Sequence, residues 1–466
     1  MFSTRTGIIS ILACLAWILA GGITPVSAAT QPTPPNIILI IIDTLRSDHL
    51  GCYGYRRSTS PAMDAIAAEG VRFDQAISAA SWTTPAVMSM FTSLPSSLHQ
   101  AVLGSTALPE GMTTLAAELK KGGYQTAAIV VNPYTSSKFG FNRGFDLYDD
   151  NSIQLAAGLG DLDLYNNSVS DKVTQYAVKW LKSSRRSDRP FFLHVFYFDP
   201  HYDYMPPSPY DGMFTDPDYC GGQDGSKITT LEGKPLSNAD KEQILGLYDG
   251  EIRFTDDLIK VLIDTLRNMN LLTNTLLVIT ADHGDEFWEH DGVGHGRTLY
   301  DELLRVPLII HWPNEIKPKQ VVTRQVSLID LMPTILDMVG LPIPSQCRGQ
   351  SLVSLFKSSS SRTFTERPVF AETESKISLK CIRTPSQKLI EYIKDKTFEA
   401  YDMDNDPFEC DDLALMPQYA GFQLLLTAYE DWKKRNAEFN ATNHPAQTIK
   451  IDPQLMKQLK SLGYAH

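Results

Sequence analysis

The run NIILIII at Asn36–Ile42 constrains the fold more than any other segment, because six consecutive residues in it are apolar. A strand without polar alternation is buried on both faces, as in a parallel sheet covered by helices. Runs of the same kind cover residues 126–131, 191–198, 275–280 and 306–312. Helical stretches alternate with these runs, so the sequence predicts an α/β fold, a mostly parallel sheet flanked by helices.

Two helices are predicted from local signals. The first covers residues 61–69, with Ser60 as N-cap, Pro61 in the first turn and Gly70 as the stop. The second precedes the strand at 275–280, where apolar residues recur at helical spacing. Those residues are Leu258, Val261, Leu262, Leu266 and Met269.

The N-terminal segment has the pattern of a cleavable export signal. Arg5 precedes an apolar run over residues 7–22, and small residues follow it. We expect cleavage after Ala28, which makes residues 1–28 a signal peptide and the mature protein secreted or periplasmic. An uncleaved anchor and a lipid on Cys14 are open alternatives. No later stretch of the sequence is long and apolar enough to span a bilayer, so no membrane span is expected after cleavage.

Charge and cysteine content exclude some partners. The 42 basic and 54 acidic residues give a net charge of −12 without a basic run, which argues against nucleic acid. Apart from Cys14 there are five cysteines without CxxC spacing, so no cysteine metal cluster is expected. A disulfide between Cys381 and Cys410 is left open.

The composition changes at residues 357–366, a serine-rich segment typical of a linker. We therefore expect a large domain over residues 32–356 and a smaller α+β domain over residues 367–466. Short strands, close enough for an antiparallel sheet, are predicted at 369–372, 377–383, 388–393 and 398–402. A turn at 404–407 and helices at 417–439 and 453–462 complete the smaller domain.

Polar side chains follow four of the predicted strands of the large domain. They are Asp43, Asn132, His201 and the adjacent pair Asp282 and His283. Open α/β sheets bind ligands outside the carboxyl ends of their strands, so we expect these side chains to share one edge. Asp282 and His283 suit zinc or manganese. For Asn132, a substrate contact and a turn-forming role are both open.

The loop after residue 280 contains further charged residues whose positions suggest no single role. We expect them to be solvated or to support the ligands rather than to bind metal directly. They are Asp285, Glu286, Glu289, His290 and Asp291.

Four segments together resemble the sulfatase family of the alkaline phosphatase superfamily. They are NIILIIIDTLRSDHLGCYGY at 36–55, DPH at 199–201, DHG at 282–284 and GHGRTLYDELLRVPLII at 294–310. The resemblance extends to the final LKSLGYAH. It implies an alkaline-phosphatase-like domain that cleaves sulfate or phosphate esters with the help of a metal.

The resemblance also implies roles for single residues. The positions expected to hold one or two divalent cations, with zinc, manganese and calcium all open, are Asp43, Thr83, Asp282 and His283. His201 and His295 match histidines that contact the transferred group or protonate the leaving oxygen. Thr83 takes the place of the nucleophile.

The chain departs from the family pattern at three places. The family's nucleophile lies in Cys/Ser-x-Pro-x-Arg, but residues 83–87 read TTPAV, so formylglycine should not form. Thr44 stands where a second aspartate is common. The usual lysine before Tyr300 is absent, and Arg297 is a candidate to bind substrate in its place, although a surface role is equally open.

These departures shape the expected chemistry. A threonine hydroxyl beside a divalent cation loses its proton readily, so Thr83 can attack the ester, although the same residue could simply be a helix N-cap. Without formylglycine the covalent intermediate must be broken at phosphorus or sulfur, which predicts better turnover of phosphate than of sulfate esters. The substrate would be a sulfated or phosphorylated small molecule, glycan or lipid. Transfer of a phosphoethanolamine or glycerol phosphate group and a catalytically inactive binding protein are the alternatives.

Overall fold

The computed structural model describes residues 34–102, 106–150, 169–313, 315–358, 360, 362–375, 377–416, 421–442, 447–450 and 453. The expected signal peptide, Cys14 and all but the first residue of the helix predicted at 453–462 lie outside these ranges. The described residues from Pro35 onward form one compact unit. Within the described ranges, no helix combines the length and the apolar character that a membrane crossing requires.

Seventeen strands in the described part of the chain form four sheets. In chain order they are β1 (Asn36–Ile42), β2 (Val71–Ile77), β3 (Thr106–Ala107), β4 (Gln125–Ile129), β5 (Leu147–Asp149), β6 (Phe191–Tyr197), β7 (Thr275–Ala281), β8 (Glu286–Phe287), β9 (Val293–Gly294), β10 (Arg305–Val306), β11 (Leu308–His311), β12 (Gln320–Ser327), β13 (Val369–Glu374), β14 (Ser378–Arg383), β15 (Gln387–Tyr392), β16 (Thr397–Asp402) and β17 (Gln447–Thr448).

The central sheet has nine strands in the order β10-β2-β11-β7-β1-β6-β4-β5, with β12 paired to β2. Strands β7, β1, β6, β4 and β5 run parallel to one another. Every residue of β1, β6 and β7 is buried, as continuous apolar runs predict. The mostly parallel α/β sheet expected from the sequence is therefore confirmed.

Two features of this sheet differ from the sequence prediction. Strand β11, expected within residues 306–312, runs antiparallel to both β7 and β2. A buried strand has the same apolar composition in either direction, so its sequence does not reveal its polarity. Strands β2 and β12 were not predicted, because VRFDQAI and QVVTRQVS mix polar and apolar residues, as strands with partly exposed faces do.

Nine α-helices lie within the described residues. They are α1 (Pro61–Glu69), α2 (Thr83–Thr92), α3 (Ser96–His99), α4 (Leu115–Lys121), α5 (Ser170–Ser183), α6 (Asn238–Asn268), α7 (Asp301–Leu304), α8 (Leu331–Met338) and α9 (Gln423–Thr442). Both predicted helices of the large domain are present, and α1 has the predicted bounds. Its capping differs, because the Ser60 side chain makes no capping bond. The carboxylate of Asp256 in α6 accepts from the backbone N–H groups of Ala62 and Met63 instead, both at 2.8 Å.

The C-terminal strands β13 to β16 form the predicted antiparallel sheet. Helix α9 covers it through an apolar cluster that includes Leu389, Tyr429 and Trp432. The disulfide left open in the sequence analysis is absent, because Cys381 is a free, buried thiol and Cys410 a free, exposed one.

A buried ion cluster connects this sheet to α7. The Lys388 ammonium lies 3.0 Å from Asp301 Oδ1 and 2.6 Å from Glu409 Oε1. Arg383 donates two hydrogen bonds to the same Asp301 carboxylate, at 3.0 and 2.7 Å. Buried charges are tolerated only when paired in this way, so the cluster fixes the sheet against the end of the loop that follows β7.

Candidate active site

The carboxyl ends of four neighbouring parallel strands carry the polar residues singled out in the sequence. Asp43 follows β1, Asp282 and His283 follow β7, and His201 and Asn132 lie just beyond β6 and β4. All five side chains are buried. Since these strands are adjacent in the sheet, the expected common edge is present.

Asp43, Asp282 and His283 form a compact group of potential metal ligands. Their ligand atoms lie within 4.8 Å of one another, and His283 Nε2 is 3.7 Å from Asp43 Oδ1 and 3.4 Å from Asp282 Oδ2. Both of these carboxylate oxygens are buried without a hydrogen-bond partner among the described residues. Burial, and for Asp43 the charge of Asp282, raise the pKa of both carboxyls. Two unsatisfied carboxylate oxygens facing one imidazole fit a divalent cation.

Thr83 lies beside this group at the start of α2. Its Oγ1 is 3.5 Å from His283 Nε2 and 3.5 Å from Asn132 Nδ2. The alternative that Thr83 caps the helix is wrong, because Trp82 is the N-cap residue and Thr83 is the first helical residue. The hydroxyl therefore faces the ligand group rather than the helix backbone.

Asn132 forms the turn considered for it in the sequence analysis and also contacts a potential metal ligand. Its Oδ1 accepts from the backbone N–H of Tyr134 at 2.8 Å, which forms the expected turn. Its Nδ2 donates to Asp43 Oδ2 at 2.6 Å. Asn132 thus orients one of the potential metal ligands and leaves the other Asp43 oxygen toward His283.

His295 lies beside the group, and His201 lies beside His295. Their ring centroids are 5.0 Å apart, and the His295 ring is 4.4 Å from that of His283. His201 Nδ1 donates to the Tyr202 carbonyl at 2.6 Å, so its Nε2 carries the lone pair. Burial lowers the pKa of both imidazoles, with a further contribution from neighbouring histidines. A lowered pKa favours the neutral form of both rings at rest.

Asp285 is a site residue that the sequence analysis did not single out. It is buried, and its Oδ1 lies 2.5 Å from His295 Nδ1 while its Oδ2 accepts from the Tyr204 hydroxyl at 2.5 Å. Burial raises its pKa to about 7. The carboxylate fixes the His295 ring and turns Nε2 away from itself. Loop composition alone does not reveal which of several carboxylates turns inward.

The other charged residues of the region have partners of their own. Arg297 forms an ion pair with Glu232, so its charge is already balanced. Glu289 pairs with Arg46 at 2.5 Å. His290 lies 2.8 Å from Glu302, and its ring stacks on Tyr300 with centroids 3.7 Å apart. 

Strand β13 reaches the segments that carry Thr83 and His295. The backbone N–H of Glu372 donates to the Ala79 carbonyl at 3.0 Å. The hydroxyls of Thr373 and Ser375 both donate to the Gly296 carbonyl, the former at 3.3 Å. The C-terminal sheet thus holds two loops of the site in place.

Comparisons with known proteins identify the family of this chain. The sequence profile of the family described as Sulfatase matches residues 35–341, and that of the C-terminal part of N-sulphoglucosamine sulphohydrolase matches residues 289–461. The chain is 26% identical to an N-acetylglucosamine-6-O-sulfatase of Bacteroides thetaiotaomicron, over 91% of this chain and 90% of the relative. It is 26% identical to PehA of Trinickia caryophylli, a multifunctional alkaline phosphatase superfamily protein, over 83% of this chain and 93% of PehA.

Two solved structures show the same fold. A protein in complex with its substrate D-glucosamine-2-N,6-O-disulfate superimposes with a TM-score of 0.75, at 23% identity, over 88% of this chain and 99% of that one. The phosphonate monoester hydrolase of Agrobacterium radiobacter gives a TM-score of 0.71, at 20% identity, over 89% and 97% of the two chains.

Proposed function

Since the chain belongs to the sulfatase family, we propose that it is a divalent-metal-dependent hydrolase that cleaves phosphate and sulfate esters with Thr83 as nucleophile. One observation carries the proposal. The Thr83 hydroxyl lies 3.5 Å from His283 Nε2, beside two buried carboxylates with unsatisfied oxygens. A buried hydroxyl next to a group of potential metal ligands at the carboxyl edge of the sheet supports the role of nucleophile for Thr83.

Asp43, Asp282 and His283 would hold the cation, and the imidazole favours zinc or manganese over calcium, which prefers oxygen ligands. When bound, it supplies positive charge that lowers the pKa of a neighbouring hydroxyl and attracts the outer oxygens of the ester. Asn132 holds Asp43 in its orientation at 2.6 Å. His201 contributes Nε2 toward the transferred group, because its Nδ1 is bonded to the Tyr202 carbonyl.

The reaction requires two displacements at the same atom. The Thr83 oxygen forms a bond to phosphorus or sulfur as the bond to the leaving oxygen breaks, and water then displaces Thr83. In the first displacement the Thr83 hydroxyl proton passes to a neutral imidazole, which returns a proton to the leaving oxygen. In the second displacement the imidazole takes a proton from the attacking water and returns it to the Thr83 oxygen. His295 is the candidate for this exchange, since Asp285 stabilises the imidazolium that forms in between.

We infer a preference for phosphate over sulfate esters from the nucleophile. A threonine ester has no internal route for release, so water must attack the transferred group. Phosphoryl groups carry more negative charge on their outer oxygens, which a cation stabilises more strongly. The N-acetylglucosamine-6-O-sulfatase among the relatives supports sulfate esters, and PehA is by its name a multifunctional member of the alkaline phosphatase superfamily.

The natural substrate class within this proposal is a sulfated or phosphorylated small molecule, glycan or lipid. The location is outside the cytoplasm, secreted or periplasmic, as the N-terminal sequence pattern indicates. Catalysis belongs to residues 32–356, and residues 367–466 support it as a smaller domain.

A panel of matched esters tests the proposal. Purified full-length protein is assayed with 4-nitrophenyl sulfate, 4-nitrophenyl phosphate and bis-4-nitrophenyl phosphate, after chelation and after addition of zinc, manganese or calcium. We expect metal-dependent turnover, faster for the phosphate esters. A clear preference for the sulfate ester contradicts the inferred selectivity, and turnover that persists after chelation contradicts the metal dependence.

A further inference from the structure

A cavity of about 440 Å³ lies between α9, the start of β13 and the segment that follows α2. Three arginines, Arg348, Arg367 and Arg435, contribute to its wall, with Asp431 as the single carboxylate. Apolar side chains, among them Trp432, form most of the remainder. The volume falls in the range of small-molecule sites, which combine apolar walls with a few polar groups.

The arginines give this cavity an excess of positive charge. Arg367 pairs with Asp330 at 2.5 Å. Arg348 instead stacks over the Phe439 ring at 4.9 Å, and neither it nor Arg435 forms an ion pair with a described residue. Three guanidinium groups around one cavity are unexpected in a chain with a net charge of −12. Because the guanidinium groups repel one another, an anion bound between them would be stabilised.

The cavity is distinct from the site at Thr83. Pro95 lines it, and Arg348 is fixed beside the end of α2 because its backbone N–H donates to the Ser93 carbonyl at 2.8 Å. Thr83 is at the opposite end of the same ten-residue helix. A helix of this length spans about 15 Å, so a small ligand does not occupy both sites at once.

We propose that this cavity binds a ring compound carrying a sulfate or carboxylate group, such as an anionic sugar unit. Guanidinium groups bind planar or tetrahedral oxyanions through paired hydrogen bonds. The apolar wall is rigid, because Trp432 stacks on Phe370 with centroids 4.4 Å apart and an interplanar angle of 3°. A preformed wall reduces the entropy lost on binding. The inference is independent of the chemistry at Thr83.

Calorimetric titration of the full-length protein tests the proposal. The probes are glucuronic acid, glucosamine 6-sulfate and inorganic sulfate, which separate carboxylate from sulfate and show whether the ring is needed. Binding is compared between a Thr83→Ala protein and the same protein carrying Arg348→Gln and Arg435→Gln. We expect at least one ring probe to lose affinity by roughly tenfold or more when the two arginines are replaced.

Two controls distinguish the cavity from other effects. Lys434→Gln removes the same charge from the neighbouring position on α9, outside the cavity wall, and should leave affinity unchanged. Asp282→Ala alters the ester site and should also leave this binding unchanged. Three results would overturn the proposal. Every probe could bind with the same affinity after the two arginines are replaced, or Lys434→Gln could lower the affinity as much as their replacement does. Asp282→Ala alone could also abolish binding. Arg348, Lys434 and Arg435 are exposed, whereas Thr83 and Asp282 are buried, so circular dichroism verifies that every variant remains folded.

Discussion

At the scale of single residues, the environment of Thr83 differs from that of a threonine with a purely structural role. Its hydroxyl faces His283 and Asn132, whereas the Thr92 hydroxyl, near the other end of α2, donates to the Met88 carbonyl at 2.7 Å. The sequence motif predicted the position of Thr83 but not this geometry, since a threonine at a helix start is equally common as a cap.

Replacement of Thr83 should therefore act on chemistry rather than on folding. We expect Thr83→Ala to lower kcat for a phosphate ester by about 10³-fold or more, because no hydroxyl remains to form the covalent bond. Thr83→Ser should retain much of the turnover. Thr92→Ala is the matched control and should keep near wild-type kcat. Steady-state kinetics decide the matter, and equal activity of Thr83→Ala and wild type would exclude the assigned nucleophile.

Asp285 should act as a positioning residue for His295. An asparagine at position 285 can donate to Nδ1 and so favour the tautomer with hydrogen on Nε2, which reverses the role of that nitrogen. We expect Asp285→Asn to lower kcat by roughly 10- to 100-fold with little change in KM. The exposed Asp291 of the same loop gives the control, and Asp291→Asn should leave both constants unchanged. If Asp285→Asn lowered kcat/KM only by raising KM, Asp285 would not act through His295.

At the scale of elements, the order of strands explains why the site was predictable. The apolar runs of β1, β6 and β7 also indicated which residues lie at the carboxyl ends of these strands. Asp43, His201 and Asp282 could therefore be predicted as candidate site residues. Asp285 and the β13 contacts were not predictable in this way. They depend on how the loop after β7 folds back into antiparallel β11, and no local pattern encodes that reversal.

One contact within this loop should depend on pH. Burial lowers the pKa of His290, but its hydrogen bond and charge attraction with Glu302 outweigh this and raise the pKa to about 9. A histidine whose pKa is higher in the folded than in the unfolded state stabilises the fold. Its full contribution is present at pH values below the pKa of the unfolded state, about 6.5. This contribution is lost as the pH rises from there through about 9.

We expect His290→Gln to lower Tm more at pH 6 than at pH 9.5, since only the lower pH retains the ion pair. The expected difference in unfolding free energy is about 1–2 kcal/mol, after allowance for partial solvent screening. Thermal denaturation of wild type, His290→Gln, Glu302→Gln and the double variant measures it. The double variant should lose no more than either single one. If the Tm difference between wild type and His290→Gln were the same at both pH values, His290 and Glu302 would not form an ion pair.

At the scale of the whole molecule, the cation site should contribute to stability as well as to catalysis. Asp43 and Asp282 place two buried carboxylates close together, which costs free energy unless a cation neutralises them. A cation present at 100 times its Kd stabilises the folded state by about 2.7 kcal/mol. Removal of the cation would therefore destabilise the sheet around β1 and β7.

Chelation should therefore lower the Tm of the wild type by several degrees, and added metal should restore it. Asp282→Ala should bind less metal per chain and should show little response to the chelator. Elemental analysis and thermal denaturation of both proteins test this. Equal metal content in the two proteins would mean that the cation binds elsewhere.

The contacts of β13 also have a consequence for biosynthesis. The ribosome makes the chain from its N-terminus, so the segments with Asp43, Thr83 and His283 emerge before residues 369–374. Until those strand residues exist, the Ala79 and Gly296 carbonyls have no β13 partner to hold the loops in place. A nascent chain is thus expected to acquire its activity last, once the C-terminal strands have been translated, and a premature stop anywhere before β13 should yield an inert product.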